Sequence, residues 1–199
     1  MSLDYYEREA DEFIQQTVTV DMTALYARFL PLVPPCGTIL DVGCGSGRDA
    51  RAFLDRGYRV TAFDASPPMA AYASALTGLT VPCMAFMDVA WEEQFDGVWC
   101  CASLLHVPAA DFAAISAKLL RAMKPGGVWY LSFKLGQGQH ERGGRQFLDH
   151  TEASLRSVLA VLPDIGIIET WVSADRRPGR EVEGWVNALA SKGLGNAGQ

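Results

Sequence analysis

The amino-acid sequence predicts an α/β protein in which a doubly wound, mostly parallel sheet carries helices on both faces. Three observations support this class. Short apolar runs bounded by glycine alternate with amphipathic segments of helical period, which is typical of βαβ units. The apolar runs match strands that are buried on both faces. The chain has 199 residues, with 49% apolar and 20% charged residues, as expected for one globular domain.

Two helices are expected before the first strand. Residues 4–16 are polar and helical in pattern. Asp21 is expected to cap a second helix, whose apolar residues repeat at i, i+3, i+4, i+7 and i+8. A stretch rich in proline, residues 31–37, ends this helix. The repeating apolar residues are Met22, Leu25, Tyr26, Phe29 and Leu30.

Strands and helices alternate from residue 38 onwards. A buried strand is followed by a helix that Gly57 stops. The next helix begins with Ser66 as N-cap and Pro67 at the first helical position, and it closes at Gly78. The predicted strands of this region are 38–43, 58–64, 81–86, 95–105 and 128–133, and the predicted helices are 48–57, 66–78 and 112–127.

The last third of the chain is predicted to contain a loop, a helix and two strands. The stretch "KLGQGQHERGGR", residues 134–145, has four glycines and few apolar residues, which predicts a mobile loop. Residues 152–162 form a helix with its leucines on one face, and residues 165–175 and 181–189 read as strands.

Charge and cysteine usage limit the kinds of partner. A net charge of −6 and a pI near 5.0 argue against a nucleic-acid backbone or an anionic membrane surface. The acidic start predicts no signal peptide, and the longest uncharged stretch, "GVWCCASLLHVPAA", is too short to cross a bilayer. Five cysteines without a C-x-x-C pair predict free thiols in a reducing cytoplasm, and no metal site.

The stretch "TILDVGCGSGRDA" directs attention to a ligand. Ligands of open α/β sheets bind beyond the carboxyl ends of the strands, and glycines allow a polar group to approach the backbone closely. No lysine follows Gly47, so a P-loop is excluded. Gly45, Gly47 and Ala50 match the dinucleotide fingerprint, with Asp64 at the end of the second strand. A dinucleotide therefore stays an alternative.

Three features favour S-adenosylmethionine over a dinucleotide. Asp41, at the end of the first strand, would repel a pyrophosphate but suits an amino group. Asp88 follows the third predicted strand and can accept from an exocyclic amine. A chain of this length leaves little room for the separate substrate domain that dehydrogenases need.

Each part of S-adenosylmethionine has a predicted partner. The helix that starts near Ser46 offers N–H groups to the carboxylate, Asp64 can accept from both ribose hydroxyls, and Met69 can lie against the adenine. The residues predicted to bind the cofactor are Asp41, Gly43, Cys44, Gly45, Gly47, Arg48, Asp64, Ala65, Met69, Asp88, Val89 and Cys101.

The motifs "ILDVGCGSGRD", "VTAFDAS", "FDGVWCCASLLHV" and "MKPGGVWYLSFK" stand in an order and spacing that resemble the class I S-adenosylmethionine-dependent methyltransferases. The resemblance covers residues 20–175. The stretches "GSGRD", "CASLLHVP" and "SFKLG" are similar to the small tellurite-resistance type of that class. The resemblance implies a Rossmann-like fold with a seven-stranded sheet, whose final pair is a hairpin with one antiparallel strand.

This resemblance divides the single domain into four segments. They are a helical cap (1–35), a cofactor-binding core (36–134), a mobile substrate-side loop (135–150), and a C-terminal helix and hairpin (151–199).

Four residues are predicted to serve the methyl acceptor. His106 follows a strand end, where it is a candidate general base or a residue that shapes the pocket. Arg142 and Arg145 lie in the glycine-rich segment, where they form either a lid for an anionic acceptor or a solvated loop. Tyr6 either closes over the site or only packs.

These patterns predict a cytoplasmic methyltransferase for a small molecule, as a monomer or homodimer, without nucleic-acid or membrane partners. Two alternatives remain open from the sequence. One is a binding module that senses the cofactor without catalysis, and the other is a small NAD(P)-binding oxidoreductase.

Overall fold

The computed structural model describes residues 6, 8–177, 179–180 and 182–194. Where predicted elements and segments reach residues 1–5, 7, 178, 181 or 195–199, they lie outside the described residues. Within the described part, six strands form one sheet and two form a separate hairpin. The helices are α1 Ala10–Thr17, α2 Thr23–Phe29, α3 Arg48–Leu54, α4 Pro67–Thr77, α5 Ala109–Ala122 and α6 Glu152–Ala160. The strands are β1 Thr38–Val42, β2 Arg59–Phe63, β3 Phe95–Cys100, β4 Met123–Lys134, β5 Gly138–Arg142, β6 Arg145–Asp149, β7 Ile165–Ala174 and β8 Gly184–Lys192.

The sheet has the order β2-β1-β3-β4-β8-β7. The pairs β1–β2, β1–β3 and β3–β4 are parallel, while β8 runs antiparallel to both of its neighbours. The chain leaves β1 for β2 on one side and returns to β3 on the other. A ligand crevice is therefore expected above the carboxyl ends of β1 and β3.

Alternating side chains of the central strands build two core layers. Leu40 belongs to the layer that α5 and α6 cover, where Leu119 and Leu155 are fully buried. Ile39 belongs to the opposite layer, which α2 and α3 cover with Phe29 and Phe53. Both faces of the sheet are thus buried, as the predicted doubly wound class requires. The predicted mostly parallel sheet is corrected to a mixed one, because β8 runs antiparallel to β4 and β7.

The predicted seven-stranded sheet is wrong, because residues 81–86 do not form a strand. This segment makes one isolated parallel bridge, between Asp64 and Cys83. Pro82 has no N–H to give to a ladder, and residues 86–88 turn into a short 3-10 helix. The strand predicted for 95–105 also ends early, at Cys100, since Ala102 takes a left-handed φ of 53°.

The segment 135–150 was predicted as a mobile loop, but most of it forms a β-hairpin, while its mobility stays a prediction. Arg142 pairs with Arg145 across a two-residue connection. The connecting residues Gly143 and Gly144 have φ of 59° and 72°, as a type I′ turn requires. Leu148 is buried in the core and anchors the hairpin.

Among the described residues, none of the helices is both long and apolar enough to cross a membrane.

Candidate active site

A cavity of about 640 Å³ opens above the carboxyl ends of the parallel strands. Residues of helix α1, of the β5–β6 hairpin and of the β7–β8 connection also line it. The predicted site residues that line it are Tyr6, Asp41, Gly43, Cys44, Gly45, Arg48, Asp64, Ala65, Met69, Cys101, His106, Arg142 and Arg145. Gly47, Asp88 and Val89 do not line it.

The three glycines between β1 and α3 differ in what surrounds them, although all have positive φ. A Cβ on Gly43 would lie 2.9 Å from the Ser103 Cβ, and a Cβ on Gly47 would lie 2.9 Å from the Ala73 Cβ. At Gly45 the nearest atom, on the Phe13 ring, is 3.7 Å away. Gly45 thus keeps an open face, while Gly43 and Gly47 also allow close packing within the protein. The binding role of these glycines stays a prediction.

Asp64 connects the end of β2 to the glycine loop. Its Oδ2 accepts a hydrogen bond from the Gly45 N–H at 2.8 Å, and its Oδ1 accepts from the Ser66 N–H at 2.9 Å. Burial raises the pKa of Asp64, and these backbone donors oppose that shift. Each oxygen keeps a further lone pair, so the carboxylate both shapes the loop and can accept from a ligand.

The carboxyl group of Asp41 is buried, but hydrogen bonds satisfy only part of it. Its side chain is 2% exposed, and its Oδ2 has no hydrogen-bond partner among the described residues. Burial, followed by the charge of Asp49, raises the pKa of Asp41 well above its usual range. A cationic group near this oxygen would favour the carboxylate form.

Asp49 is the opposite case, since four hydrogen bonds satisfy its buried carboxylate. Arg48 donates to both oxygens, at 2.6 and 2.9 Å, the Tyr26 hydroxyl donates at 2.5 Å, and the Trp99 indole donates at 2.8 Å. These donors outweigh burial, so the pKa of Asp49 is lowered. Arg48 also donates to the Thr17 carbonyl at 3.2 Å, which joins the end of α1 to the glycine loop.

Sequence reasoning missed Asp49 because its partners come from α2 and β3, far away along the chain. The only local signal was its position beside Arg48.

Asp88 and Val89 were predicted at the adenine end but lie outside the cavity. Asp88 is exposed, and its carboxylate accepts from the Ala85 N–H at 3.1 Å. Val89 is buried in the core. The 3-10 turn that replaces the predicted strand causes this difference, because it brings Phe86 to the cavity wall instead.

The cavity thiols are poor nucleophiles. Burial raises the pKa of Cys44 and of Cys101, with nearby aspartates acting in the same direction. Both therefore stay neutral near pH 7.

His106 joins three separate segments at one imidazole ring. Its Nδ1 lies 2.8 Å from the Gln146 carbonyl oxygen in β6, and its Nε2 lies 2.8 Å from the Tyr6 hydroxyl. Phe147 meets the ring edge-on, with centroids 5.0 Å apart. Burial lowers the pKa of His106 to about 4, partly offset by the Gln146 carbonyl, and Arg145 lowers it further.

Cations gather on the hairpin side of the cavity. The Arg145 guanidinium carbon lies 5.1 Å from the Phe147 ring centroid and 5.9 Å from that of Tyr6. Arg142 is exposed near the tip of the hairpin. Both arginines line the cavity, as does Lys134 at the end of β4.

Asp175 organises the β7–β8 connection in the same region. Its carboxylate accepts from Lys134 Nζ and the Trp185 indole, each at 3.0 Å, and from Arg177 at 2.6 Å. These donors hold the pKa of Asp175 far below its usual range although burial opposes them. Sequence reasoning missed this cluster, because its members are separated by up to 51 positions and carry no shared motif.

No group of three or more His, Cys, Asp or Glu side chains suited to a metal ion occurs among the described residues.

Comparison with known proteins shows which proteins this chain resembles. Residues 39–127 match the profile of a family described as "Methyltransferase domain". The chain is 35% identical over 127 residues to the 2-methyl-6-phytyl-1,4-hydroquinone methyltransferase of Synechocystis sp.. The aligned region covers 60% of this chain and 39% of the relative. It is also 36% identical over 108 residues to a ubiquinone biosynthesis O-methyltransferase of Xanthomonas axonopodis pv. citri. That alignment covers 51% of this chain and 44% of the relative.

One solved structure has the same fold over nearly the whole chain. It is the Burkholderia thailandensis 1,6-didemethyltoxoflavin-N1-methyltransferase with bound 1,6-didemethyltoxoflavin and S-adenosylhomocysteine, with a TM-score of 0.78 and 21% identity. The match covers 96% of this chain and 84% of that one. Residues 39–127 thus resemble a methyltransferase domain, and the chain shares its fold with a methyltransferase of known structure. The chain spans less than half the length of the two curated relatives.

Proposed function

We propose that this chain transfers a methyl group from S-adenosylmethionine to a small anionic molecule. The observation that carries the proposal is the division of charge within one cavity. On the side of the glycine loop, Asp41, Asp49 and Asp64 outnumber Arg48. On the side of the hairpin and the β7–β8 connection, the cations outnumber the acids Asp149, Asp175 and Glu183; these cations are Lys134, Arg142, Arg145, Arg176, Arg177 and Arg180. A cationic donor and an anionic acceptor would each find opposite charge.

The residues of the acidic side fit the cofactor. The unpartnered Asp41 Oδ2 suits an amino group, and the open face of Gly45 admits close approach to the backbone. Asp64 can accept from ribose hydroxyls, and Met69 and Ala65 offer an apolar surface to the adenine. When bound, S-adenosylmethionine supplies a methyl group activated by its sulfonium. The protein mainly aligns donor and acceptor, which can lower a barrier by roughly 7–11 kcal/mol.

The other side supports an acceptor that combines a flat body with an anionic group. The rings of Tyr6 and Phe147 line this half together with the Arg145 guanidinium, whose planar fork suits a carboxylate or phosphate. The similar proteins are named for small-molecule substrates.

Calorimetry with S-adenosylhomocysteine, S-adenosylmethionine and NAD(P)+ tests the cofactor. The first two should bind and NAD(P)+ should not. Binding of NAD(P)+ alone would support the oxidoreductase alternative instead. A sensor would bind the cofactor yet transfer no methyl group to any acceptor.

Arg145→Ala tests the acceptor side. The variant should raise KM for an anionic acceptor while the affinity for S-adenosylhomocysteine stays within about threefold, that is, within about 0.7 kcal/mol. Arg145→Lys should restore little if the contact is bidentate. If Arg145→Ala weakened S-adenosylhomocysteine binding as much as it raised KM for the acceptor, Arg145 would belong to the cofactor half of the cavity, and the assignment would be wrong.

The narrower resemblance to the tellurite-resistance type rests on the quoted motifs. We place the enzyme in the cytoplasm as a monomer or homodimer, and the five free thiols support a reducing compartment.

A further inference from the structure

The hydrogen bonds of His106 define its tautomer. The Gln146 carbonyl can only accept, so Nδ1 must carry the proton. Nε2 is then unprotonated in the neutral ring, and the Tyr6 hydroxyl donates to it. The lowered pKa of His106 agrees with a neutral imidazole near pH 7.

This arrangement prevents His106 from meeting a methyl acceptor directly. Both of its ring nitrogens are engaged within the protein, by Tyr6 and by Gln146. The Tyr6 hydroxyl donates its hydrogen bond to the imidazole, and its oxygen keeps lone pairs that can accept. Tyr6 lines the cavity beside Arg145 and Phe147, in the half assigned to the acceptor.

We infer that Tyr6 is the catalytic residue that meets a hydroxyl acceptor, and that His106 positions Tyr6 and receives its proton. The inference rests on the proposed function. As the acceptor oxygen forms its bond to the methyl carbon, the carbon–sulfur bond of the donor breaks and its electron pair stays on sulfur. The acceptor proton moves to the Tyr6 oxygen, the Tyr6 proton moves to Nε2, and the imidazolium returns a proton to water after product release.

The surroundings of Tyr6 and His106 suit a transient transfer of a proton to the imidazole. The Nδ1–H bond to the Gln146 carbonyl strengthens when the ring becomes charged. Burial and Arg145 favour the neutral ring, so the proton is released again readily. Tyr6 comes from the N-terminal segment and Gln146 from the hairpin, so the relay is complete only when both segments are in place.

Two probes that share an anionic aromatic body separate proton transfer from positioning. 4-Hydroxybenzoate must lose a proton on methylation, whereas 4-mercaptobenzoate is already a thiolate at mildly alkaline pH. Tyr6→Phe should lower kcat for the hydroxyl probe about 100-fold, a typical general-base contribution. It should change kcat for the thiolate, and both KM values, less than about threefold. Tyr72→Phe, an exposed tyrosine of α4, is the matched control.

Two histidine variants distinguish the role of His106. In His106→Gln an amide oxygen can still accept from Tyr6 but cannot take up a proton, whereas His106→Asn cannot reach Tyr6. Both should lose about 100-fold on the hydroxyl probe and little on the thiolate. Rescue by His106→Gln would show positioning alone and overturn the proton transfer.

Cofactor binding is measured on every variant. If S-adenosylhomocysteine fails to bind to the wild-type chain, the proposed function itself is wrong. If it binds but 4-hydroxybenzoate is not methylated, or if Tyr6→Phe slows both probes equally, the inference about Tyr6 is overturned while the cofactor assignment stands.

Discussion

At the scale of single residues, the glycine loop shows that one residue type serves different purposes within five positions. A Cβ on Gly43 or Gly47 would lie 2.9 Å from the Cβ of Ser103 or Ala73, whereas Gly45 faces open space that we propose a ligand occupies. Positive φ is common to all three, so backbone conformation alone does not separate packing from binding.

Gly45→Ala tests that distinction, with Gly78→Ala as its control. Both glycines have positive φ and open space around them, so each substitution should cost about 1–2 kcal/mol of unfolding free energy. Gly45→Ala alone should weaken S-adenosylhomocysteine binding, by at least tenfold in calorimetry, because its methyl group enters the cavity. If the two variants bound S-adenosylhomocysteine with equal affinity, the ligand would not lie against the glycine loop.

At the scale of elements, the β5–β6 hairpin builds the side of the cavity that we propose for the acceptor. It carries Arg142 and Arg145, and it supplies the Gln146 carbonyl that fixes His106. Its turn has two glycines in left-handed conformation, where a β-branched residue is strongly disfavoured.

Gly143→Val should therefore open the hairpin, while Gly143→Asn should preserve it, because asparagine tolerates this conformation. Trypsin should cleave after Arg142 much faster in the valine variant than in the wild type. The affinity for S-adenosylhomocysteine should remain within about threefold in both variants. Unchanged cleavage in the valine variant would mean that the turn does not hold the hairpin together.

At the scale of the whole molecule, the buried Asp49 network joins elements from three parts of the fold. Tyr26 of α2, Arg48 of α3 and Trp99 of β3 all donate to one carboxylate. Trp99 in turn stacks on Tyr130 of β4, with centroids 3.9 Å apart. The floor of the cavity is therefore coupled to the global stability of the fold.

Asp49→Asn should destabilise the chain strongly, because the buried Arg48 guanidinium loses its counter-charge. Removing one partner of a buried pair costs about 3–5 kcal/mol. Tyr26→Phe, which removes one donor and keeps the ion pair, should cost about 1 kcal/mol. Urea denaturation measures the loss of unfolding free energy in both variants. Similar losses would mean that the Arg48–Asp49 ion pair is not the main stabilising interaction of the network.

The stability of the whole molecule should also depend on His106 at acid pH. Its pKa falls from 6.5 in the unfolded chain to about 4 in the fold, so between these values the unfolded state binds the proton. Stability is therefore lost as pH falls through that window, by up to about 3 kcal/mol at ~1.4 kcal/mol per pKa unit. The raised pKa values of Asp41 and Asp64 act in the opposite direction.

The difference between wild type and His106→Gln isolates the histidine, because the other ionisable groups are common to both proteins. Urea midpoints at several pH values should show a flatter slope for His106→Gln. Parallel slopes for the two proteins would contradict a buried neutral His106.

Local sequence patterns determined the alternation of strands and helices, the glycine loop after β1 and the acid at the end of β2. These features depend on periodicity, capping and turn residues within a few positions, which a sequence displays directly. The Gly-Gly pair between Arg142 and Arg145 was also a readable hairpin signal, although the scarcity of apolar residues around it favoured a loop.

Only the tertiary structure decided which groups meet. Proline in residues 81–86 and a left-handed Ala102 removed one expected strand and shortened another, and they turned Asp88 away from the cavity. The partners of His106 and Asp49 come from segments tens of residues apart. Their protonation follows from burial and from these contacts, neither of which a local pattern contains. The sequence therefore determined the class of the fold and where its ligand loop lies, and packing determined which side chains can do chemistry there.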